Sequence, residues 1–316
     1  MSGSLCDVLP AAAALLGVPG AVDTLAVTDR AGPERIDRVL VVLVDGLGWH
    51  LLPQLAGGAP LLASVLSGAT GWLTQLECTF PSTTPTSLVS LGTGALPGEH
   101  GVLGFTLRVP GTETVLNHVR WRDDPSPAVW QPVPTWFQRL KEAGVSARAV
   151  LPALFLGSGL TEAAYRGAEF RPAGPADDYA RLVVDDHGGL NVPPEARVDL
   201  DADPGLAQGV RVVAGEPRVR YLHTEPGAGP DVRAAWAEVL GGRATVYSRE
   251  EAVSTGMFGP VAAAHLERIG DVVVVCSGDT AVLASAHEPP EASRLVGFHG
   301  GASPAEMAIP LIVFRP

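Results

Sequence analysis

An α/β architecture, with a mostly parallel central sheet sandwiched by helices, is expected for this 316-residue chain. Short β-branched apolar runs alternate with stretches of helical periodicity, which is typical of α/β sandwiches. Hydrophobic residues make up 46% of the chain and charged residues only 18%, so a sizeable buried core can form. We expect one domain over residues 1–316.

The central strand of this sheet is predicted at residues 38–44, with the sequence RVLVVLV. A run that is apolar on both faces indicates a buried strand covered by helices on each side. Similar runs predict further strands at residues 147–151, 181–184, 271–276 and 309–314, and helical patterns lie at residues 87–91, 133–143 and 261–269.

A smaller α+β subdomain is predicted at about residues 194–259, embedded in the larger domain. This stretch is rich in turn residues. It carries short apolar runs at residues 210–213, 219–223 and 244–247 around a helical pattern at residues 232–240.

Bulk properties exclude several classes of protein. A formal net charge of −12 disfavours a nucleic-acid polymer as partner, because backbone phosphates need a basic surface. A small phosphorylated substrate would also be repelled unless a bound cation inverts the local charge. No apolar run reaches the roughly 18–20 residues that span a bilayer, so we expect no membrane partner and a cytoplasmic location. Cys6, Cys78 and Cys276 lack metal-site spacing and are interpreted as small buried hydrophobes.

The first candidate site residue is Asp45, which ends the 38–44 run and is followed by Gly-Leu-Gly. A carboxylate at the carboxyl end of a strand points into the crevice where α/β proteins bind ligands, and glycines allow close approach. The alternative interpretation is an ordinary turn aspartate.

The second candidate is Thr84, within residues 80–94, which read FPSTTPTSLVSLGTG. A hydroxyl residue before a proline and an apolar stretch predicts a helix N-terminus, so capping alone could explain it. A helix N-terminus also offers free N–H groups to an anion. A threonine held there can attack a phosphate, provided that a metal lowers the pKa of its hydroxyl.

Two further motifs carry metal-type ligands. Asp186 and His187 follow a strand in VVDDHGG, and His299 lies in FHGG before the last strand. Carboxylate and imidazole suit zinc or manganese, although each motif alone is also compatible with an ordinary loop. The remaining histidines without ligand spacing are interpreted as structural or exposed: His50, His118, His223, His265 and His287.

Taken in this order, the motifs VVLVDGLG, FPSTTPTSLVSLGTG with PGEHGVLGF, VVDDHGG and FHGG resemble the alkaline phosphatase superfamily. The branch most similar is the nucleotide pyrophosphatase/phosphodiesterase group, together with phosphonoacetate hydrolase. The resemblance implies two divalent ions, usually zinc, about 4 Å apart. It places Asp45, Thr84, Asp186 and His187 on the first ion and His299 on the second.

The resemblance leaves two candidates for the nucleophile. Thr79 also precedes Phe-Pro, but counting back from the Thr93-Gly94 helix end without a gap selects Thr84. Sulfatases, a sister branch, are disfavoured because Cys78 is followed by Thr-Phe-Pro-Ser with no arginine.

The chain departs from the family where an Asp-x-x-x-His segment should supply the other ligands of the second ion. Neither Asp177 nor Asp178 has a histidine four residues on, so one or two ions remain possible. The leading hypothesis is a hydrolase of phosphodiester or nucleotide pyrophosphate bonds. The alternatives are a catalytically weak or silent metal- or nucleotide-binding relative, and a phosphomonoesterase or phosphonate hydrolase. The oligomeric state is not predicted.

Overall fold

The computed structural model describes residues 3–32, 36–172, 182–185 and 187–314, of which 182–185 by their backbone alone. The strands, in chain order, are β1 (Gly3–Ser4), β2 (Val42–Val44), β3 (Gly71–Glu77), β4 (Thr106–Arg108), β5 (Val115–Asn117), β6 (Arg148–Leu151), β7 (Glu169–Pro172), β8 (Leu182–Asp185), β9 (Leu190–Asn191), β10 (Arg197–Asp199), β11 (Val210–Glu216), β12 (Val219–Thr224), β13 (Ala244–Ser248), β14 (Val272–Cys276), β15 (Ala281–Leu283), β16 (Gly297–Phe298) and β17 (Ala308–Phe314).

The α-helices are α1 (Val8–Leu15), α2 (Val27–Ala31), α3 (Leu52–Leu55), α4 (Pro60–Leu66), α5 (Thr84–Thr93), α6 (Pro97–His100), α7 (Pro127–Trp130), α8 (Trp136–Glu142), α9 (Gly159–Tyr165), α10 (Pro204–Ala207), α11 (Gly229–Leu240), α12 (Arg249–Ser254) and α13 (Pro304–Met307). The helix predicted at residues 261–269 is a 3₁₀-helix over Ala263–Arg268. Within the described ranges, none of the helices has the length and apolar character needed to cross a bilayer.

The main sheet has the strand order β1-β3-β17-β8-β2. Helices cover both faces of it, as predicted. Leu311 of β17 packs in one cluster with residues of α1, α5 and α8, whereas its neighbour Ile312 packs on Leu52 and Val65 of α3 and α4. This alternation follows from the two-residue period of a strand. The α/β prediction is therefore confirmed.

The pairing within this sheet adds one detail to that prediction. β1 and β3 are parallel, as are β2 and β8, but β17 runs antiparallel to both β3 and β8. Four of the five strands in this sheet therefore run in one direction, as predicted, and β17 is the inverted one. Because β17 is inverted, the carboxyl ends of β2, β3 and β8 and the amino end of β17 meet at one edge.

The prediction of residues 38–44 as a buried central strand is wrong. Within this run only Val42–Val44 form a strand. Among the described strands it pairs with β8 alone, at the edge of the sheet, and its residues are partly exposed. The run predicted at 147–151 forms β6, which pairs with β7 in a separate two-stranded sheet.

The predicted subdomain is built on a four-stranded antiparallel sheet with the order β11-β12-β14-β13. Helix α11 covers one face, where Trp236 is fully buried. β14, which we expected among the central strands, pairs here instead, so this sheet extends past the expected boundary at residue 259.

Candidate active site

The site lies at the edge of the main sheet where β2, β3 and β8 end. Thr84 is the first residue of α5, Thr83 is its N-cap in extended conformation, and Pro85 follows at the start of the helix. The hydroxyl of the N-cap residue Thr83 makes no hydrogen bond to the helix backbone. The positive end of the helix dipole therefore faces the site beside the half-buried Thr84.

His187 joins Thr84 to Asp45. Its Nε2 atom lies 3.1 Å from the Thr84 hydroxyl oxygen and 3.5 Å from Oδ1 of Asp45. Val44 is aligned with Asp185 in the parallel pair of β2 and β8, so the residues after these strands emerge side by side. His187 is buried, whereas the Asp45 side chain is 70% exposed.

Tight backbone contacts fix the turn that carries His187. The backbone N–H of Gly188 donates to the carbonyl of Glu306, and a Cβ at Gly188 would lie 1.9 Å from the carbonyl oxygen of Ala305. Gly48, with a φ of +62°, would likewise place a Cβ 3.2 Å from Gly188. These glycines allow three chain segments to meet where a side chain would not fit.

His299 joins the same group from the loop before β17. Its ring stacks on that of His187 with the centroids 4.1 Å apart. Its Nδ1 atom lies 3.2 Å from the carbonyl oxygen of Ser82. Burial is the main cause that lowers the pKa of His299, and the neighbouring His187 lowers it further.

Ser82 holds the two loops together from a fully buried position. Its hydroxyl donates to the carbonyl of Gly301 at 2.7 Å and accepts the N–H of Gly300 at 3.1 Å. The segment before α5 therefore fixes the turn that presents His299.

Glu216, at the end of β11, is a site residue that the sequence prediction missed. Its side chain is buried, and its Oε2 atom lies 3.9 Å from Nδ1 of His299. Burial raises the pKa of the Glu216 carboxyl to about 8, against the opposing effects of the nearby Thr83 hydroxyl and of the Phe105 N–H. No motif in the sequence marks Glu216, and only the structure shows that a Cβ at Gly300 would lie 2.7 Å from its carboxyl carbon.

The donors present fit a divalent ion of the first family site. Ligands at about 2.0–2.2 Å from a tetrahedral zinc ion lie about 3.3 Å from one another. The separations of 3.1 Å and 3.5 Å around His187 Nε2 bracket this value. His187 also has its Nδ1 atom 2.9 Å from the Gly188 carbonyl, which leaves Nε2 for a metal.

The predicted ligand Asp186 lies outside the described residues, as do Asp177 and Asp178, neither of which has a histidine four residues on. Within the ranges that are described, no group of three or more His, Cys, Asp or Glu side chains could hold an ion. Asp45, Thr84, His187 and His299 are nevertheless brought together as the motifs predicted.

Thr79 is placed away from this group. It is buried, and its hydroxyl donates to Ser90, which in turn contacts Nε2 of the fully buried His100. Cys6, Cys78 and Cys276 are buried and form no disulfide with one another, as predicted. Three of the other histidines are buried, namely His118, His223 and His265. His50 and His287 are exposed.

Solved structures with the same fold include two kinds of enzyme. Murine ectonucleotide pyrophosphatase / phosphodiesterase 5 is 14% identical, with a TM-score of 0.64 over 88% of each chain. An inactive variant of that protein, in complex with AMP, is 15% identical, with a TM-score of 0.62 over 87% of each chain. Phosphonoacetate hydrolase from Sinorhizobium meliloti, in complex with phosphonoformate, is 18% identical with a TM-score of 0.58, over 87% of this chain and 89% of that one.

No curated protein matches the chain by sequence. The family model of type I phosphodiesterases and nucleotide pyrophosphatases matches residues 39–202, just over half of the 316 residues. This match spans the Asp45, Thr84 and His187 motifs, and the solved structures share the surrounding fold. The chain belongs to the type I phosphodiesterase / nucleotide pyrophosphatase family, in the alkaline phosphatase superfamily.

Proposed function

We propose that the chain is a metal-dependent hydrolase of phosphodiester or nucleotide pyrophosphate bonds, with Thr84 as the nucleophile. The observation that carries this proposal is the 3.1 Å separation between the Thr84 hydroxyl and Nε2 of His187 at the amino end of α5. Asp45, Thr84 and His187, with Asp186, would hold the first ion. A divalent ion bound there lowers the pKa of the hydroxyl and neutralises phosphoryl charge.

The reaction proceeds in two displacements at phosphorus. The Thr84 oxygen bonds to phosphorus while the bond from phosphorus to the leaving alcohol or phosphate breaks, and the leaving group carries away the proton of the Thr84 hydroxyl. Water then bonds to phosphorus and the bond to Thr84 breaks, so the hydroxyl recovers a proton. The N-terminus of α5 favours the negative charge that develops on the phosphoryl oxygens in both steps.

The expected substrate is a small phosphorylated molecule, a nucleotide or other phosphodiester. The net charge of −12 argues against a polymeric nucleic acid, and the murine relative is similar in fold and binds AMP. Zinc suits the carboxylate, imidazole and hydroxyl donors, and manganese is the alternative.

The test is hydrolysis of bis-p-nitrophenyl phosphate with added zinc. Thr84→Ala should lower turnover by at least about 1000-fold, because alanine has no oxygen to bond to phosphorus. The matched control is Thr79→Ser, which keeps the buried hydroxyl that contacts Ser90. Full activity of Thr84→Ala, or loss only in Thr79→Ser, would contradict the assignment.

A second candidate function is a catalytically weak or silent relative that binds metal or nucleotide. The observation that favours it is that His299 lacks Asp and His companions for a second ion among the described residues. Losing one principal electrostatic stabiliser can cost about 3–4 kcal/mol, or about 100- to 1000-fold in rate. Counting the bound metal ions distinguishes this candidate from the leading proposal. Two ions per chain would argue against a weak or silent relative, whereas zinc binding without Thr84-dependent turnover would support it.

A phosphomonoesterase or phosphonate hydrolase is the third candidate, favoured by the fold shared with phosphonoacetate hydrolase. Comparing p-nitrophenyl phosphate and phosphonoacetate with the diester decides between them. The leading proposal expects the diester to be hydrolysed fastest.

A further inference from the structure

His187 and His299 are carried by two chain segments that pair with each other. β9 begins three residues after His187, and β16 ends directly before His299. The two strands are antiparallel with Leu190 opposite Phe298, so the next pair in this register sets His299 opposite Gly189. Because His187 lies two residues before Gly189, the pairing brings both imidazoles to the same end of the strand pair.

This strand pair is anchored in the core. The backbone N–H of Val192 donates to the carbonyl of Val296 at 3.0 Å, which continues the pairing beyond β9 and β16. Val192 and Phe298 are both buried in an apolar cluster with residues of β15. Backbone pairing and core packing therefore fix the position of one histidine relative to the other.

Contacts at the two edges of the His187 ring do not by themselves fix its tilt. Nδ1 lies 2.9 Å from the Gly188 carbonyl oxygen, and Nε2 lies 3.1 Å from the Thr84 hydroxyl oxygen. The torsion that tilts an imidazole about its Cβ–Cγ bond has broad energy minima. A ring that tilts takes its nitrogen out of the direction of the ion, so metal affinity depends on how firmly the ring is held.

His299 supplies a contact on one face of the His187 ring. The two rings stack with their centroids 4.1 Å apart and their planes 26° from parallel. His299 is itself held at one edge, because its Nδ1 atom lies 3.2 Å from the Ser82 carbonyl oxygen. The Ser82 hydroxyl also bonds to both glycines that follow His299, so the stacked ring has a fixed support.

We propose that His299 is a positioning residue of the first ion site, which holds the imidazole of His187 in its metal-binding orientation through ring contact. The proposal rests on the proposed function, in which His187 binds the first ion. It requires no ion at His299 itself, for which the described residues provide no Asp and His companions.

Replacing His299 with alanine or with phenylalanine separates ring contact from metal ligation. Phenylalanine keeps a flat ring but has no nitrogen, whereas alanine has neither. Zinc affinity, measured by competition with a chromophoric chelator, should fall about 10- to 100-fold in His299→Ala and return to near the wild-type value in His299→Phe. The matched control is His287→Ala, which removes a largely exposed imidazole and should leave zinc affinity unchanged.

The number of zinc ions bound per chain is a second readout, because a positioning role leaves this number unchanged. At saturating zinc, His299→Ala should bind as many ions as the wild type. Loss of one ion in both variants, or an equal loss of affinity in both, would show that His299 is itself a ligand and would overturn the proposal. Wild-type zinc affinity in His299→Ala would overturn it as well.

A third readout needs neither metal nor activity. In the metal-free wild type, the NMR signals of the His187 ring protons should be displaced upfield, because these protons lie over the face of another aromatic ring. The displacement should disappear in His299→Ala and return in His299→Phe. It still shows whether His299 orients His187 if the wild type binds no zinc, a result that would overturn the proposed function instead. If His299→Phe does not fold, undisplaced His187 signals in the wild type would still overturn the proposal.

Discussion

The Ser82 hydroxyl is the smallest group on which the site geometry depends. Because it is buried and bonded to both Gly300 and Gly301, Ser82→Ala leaves two backbone groups without their partner. We expect a loss of about 1–3 kcal/mol in the free energy of unfolding, together with weaker zinc binding as His299 loosens. Urea unfolding and zinc titration measure the two effects. Ser67→Ala, which removes an exposed hydroxyl, should change neither, and a Ser82→Ala protein as stable as this control would contradict the prediction.

Individual site residues differ in how well the sequence could predict them. Asp45, Thr84, His187 and His299 each follow or precede a strand in a motif, so a local pattern was enough to predict that they lie close together. Glu216 carries no such motif, because tertiary packing alone brings the end of β11 to the loop before β17.

Helix α5 carries Thr84, the proposed nucleophile, and most of its residues are buried. Gly92 lies against the backbone of α9, and a Cβ there would lie 2.0 Å from the carbonyl oxygen of Ala164. Gly92→Ala should therefore destabilise the protein by about 2 kcal/mol or more, despite the better helix propensity of alanine. Thermal unfolding measures this loss.

The control for this helix contact is Gly57→Ala. A Cβ at Gly57 would meet nothing within 4 Å, and its φ is not positive. The melting temperature of the Gly57→Ala protein should match or slightly exceed that of the wild type. Equal melting temperatures for both variants would show that α5 tolerates a shift away from α9.

The sequence predicted the existence of strands better than their position in the sheet, and β2 shows the reason. The apolar run at residues 38–44 correctly indicated a strand next to Asp45, but it indicated a central one. Periodicity reports how apolar a segment is and says nothing about which strands become its neighbours. The inverted β17 escaped prediction for the same reason, since direction depends on connections and not on the strand's own residues.

Buried histidines should make the whole molecule sensitive to mild acid. Burial is the main cause that lowers the pKa of His100 to about 3 and those of His118 and His223 to about 4. Each ordinarily titrates near 6.5. The unfolded chain therefore binds more protons below pH 6.5, and stability falls as the pH drops from there towards about 4. Each histidine contributes about 2 kcal/mol of the loss by pH 5.

Urea unfolding of the metal-free protein between pH 7 and pH 4.5 measures this loss. His118→Gln should reduce the slope, and His287→Gln, which alters a largely exposed side chain, should leave it unchanged. Glu216 acts in the opposite direction. Its raised pKa favours the folded state at low pH, and this stabilisation is lost as the pH rises from about 4.5 to about 8. A slope that does not differ between the two histidine variants would contradict the assignment to His118.

The buried pair of Arg218 and Glu306 limits how freely this chain can exchange parts with its relatives. Arg218 lies in the turn between β11 and β12, whereas Glu306 precedes β17 and holds the N–H of Gly301. Replacing the four-stranded antiparallel sheet and its turns with those of a related protein would remove Arg218. The Glu306 charge would then be left alone in the interior, at a cost of about 3–5 kcal/mol. This four-stranded sheet therefore cannot be exchanged as a unit without loss of stability. We expect changes in substrate specificity to come from substitutions that keep both Arg218 and Glu306.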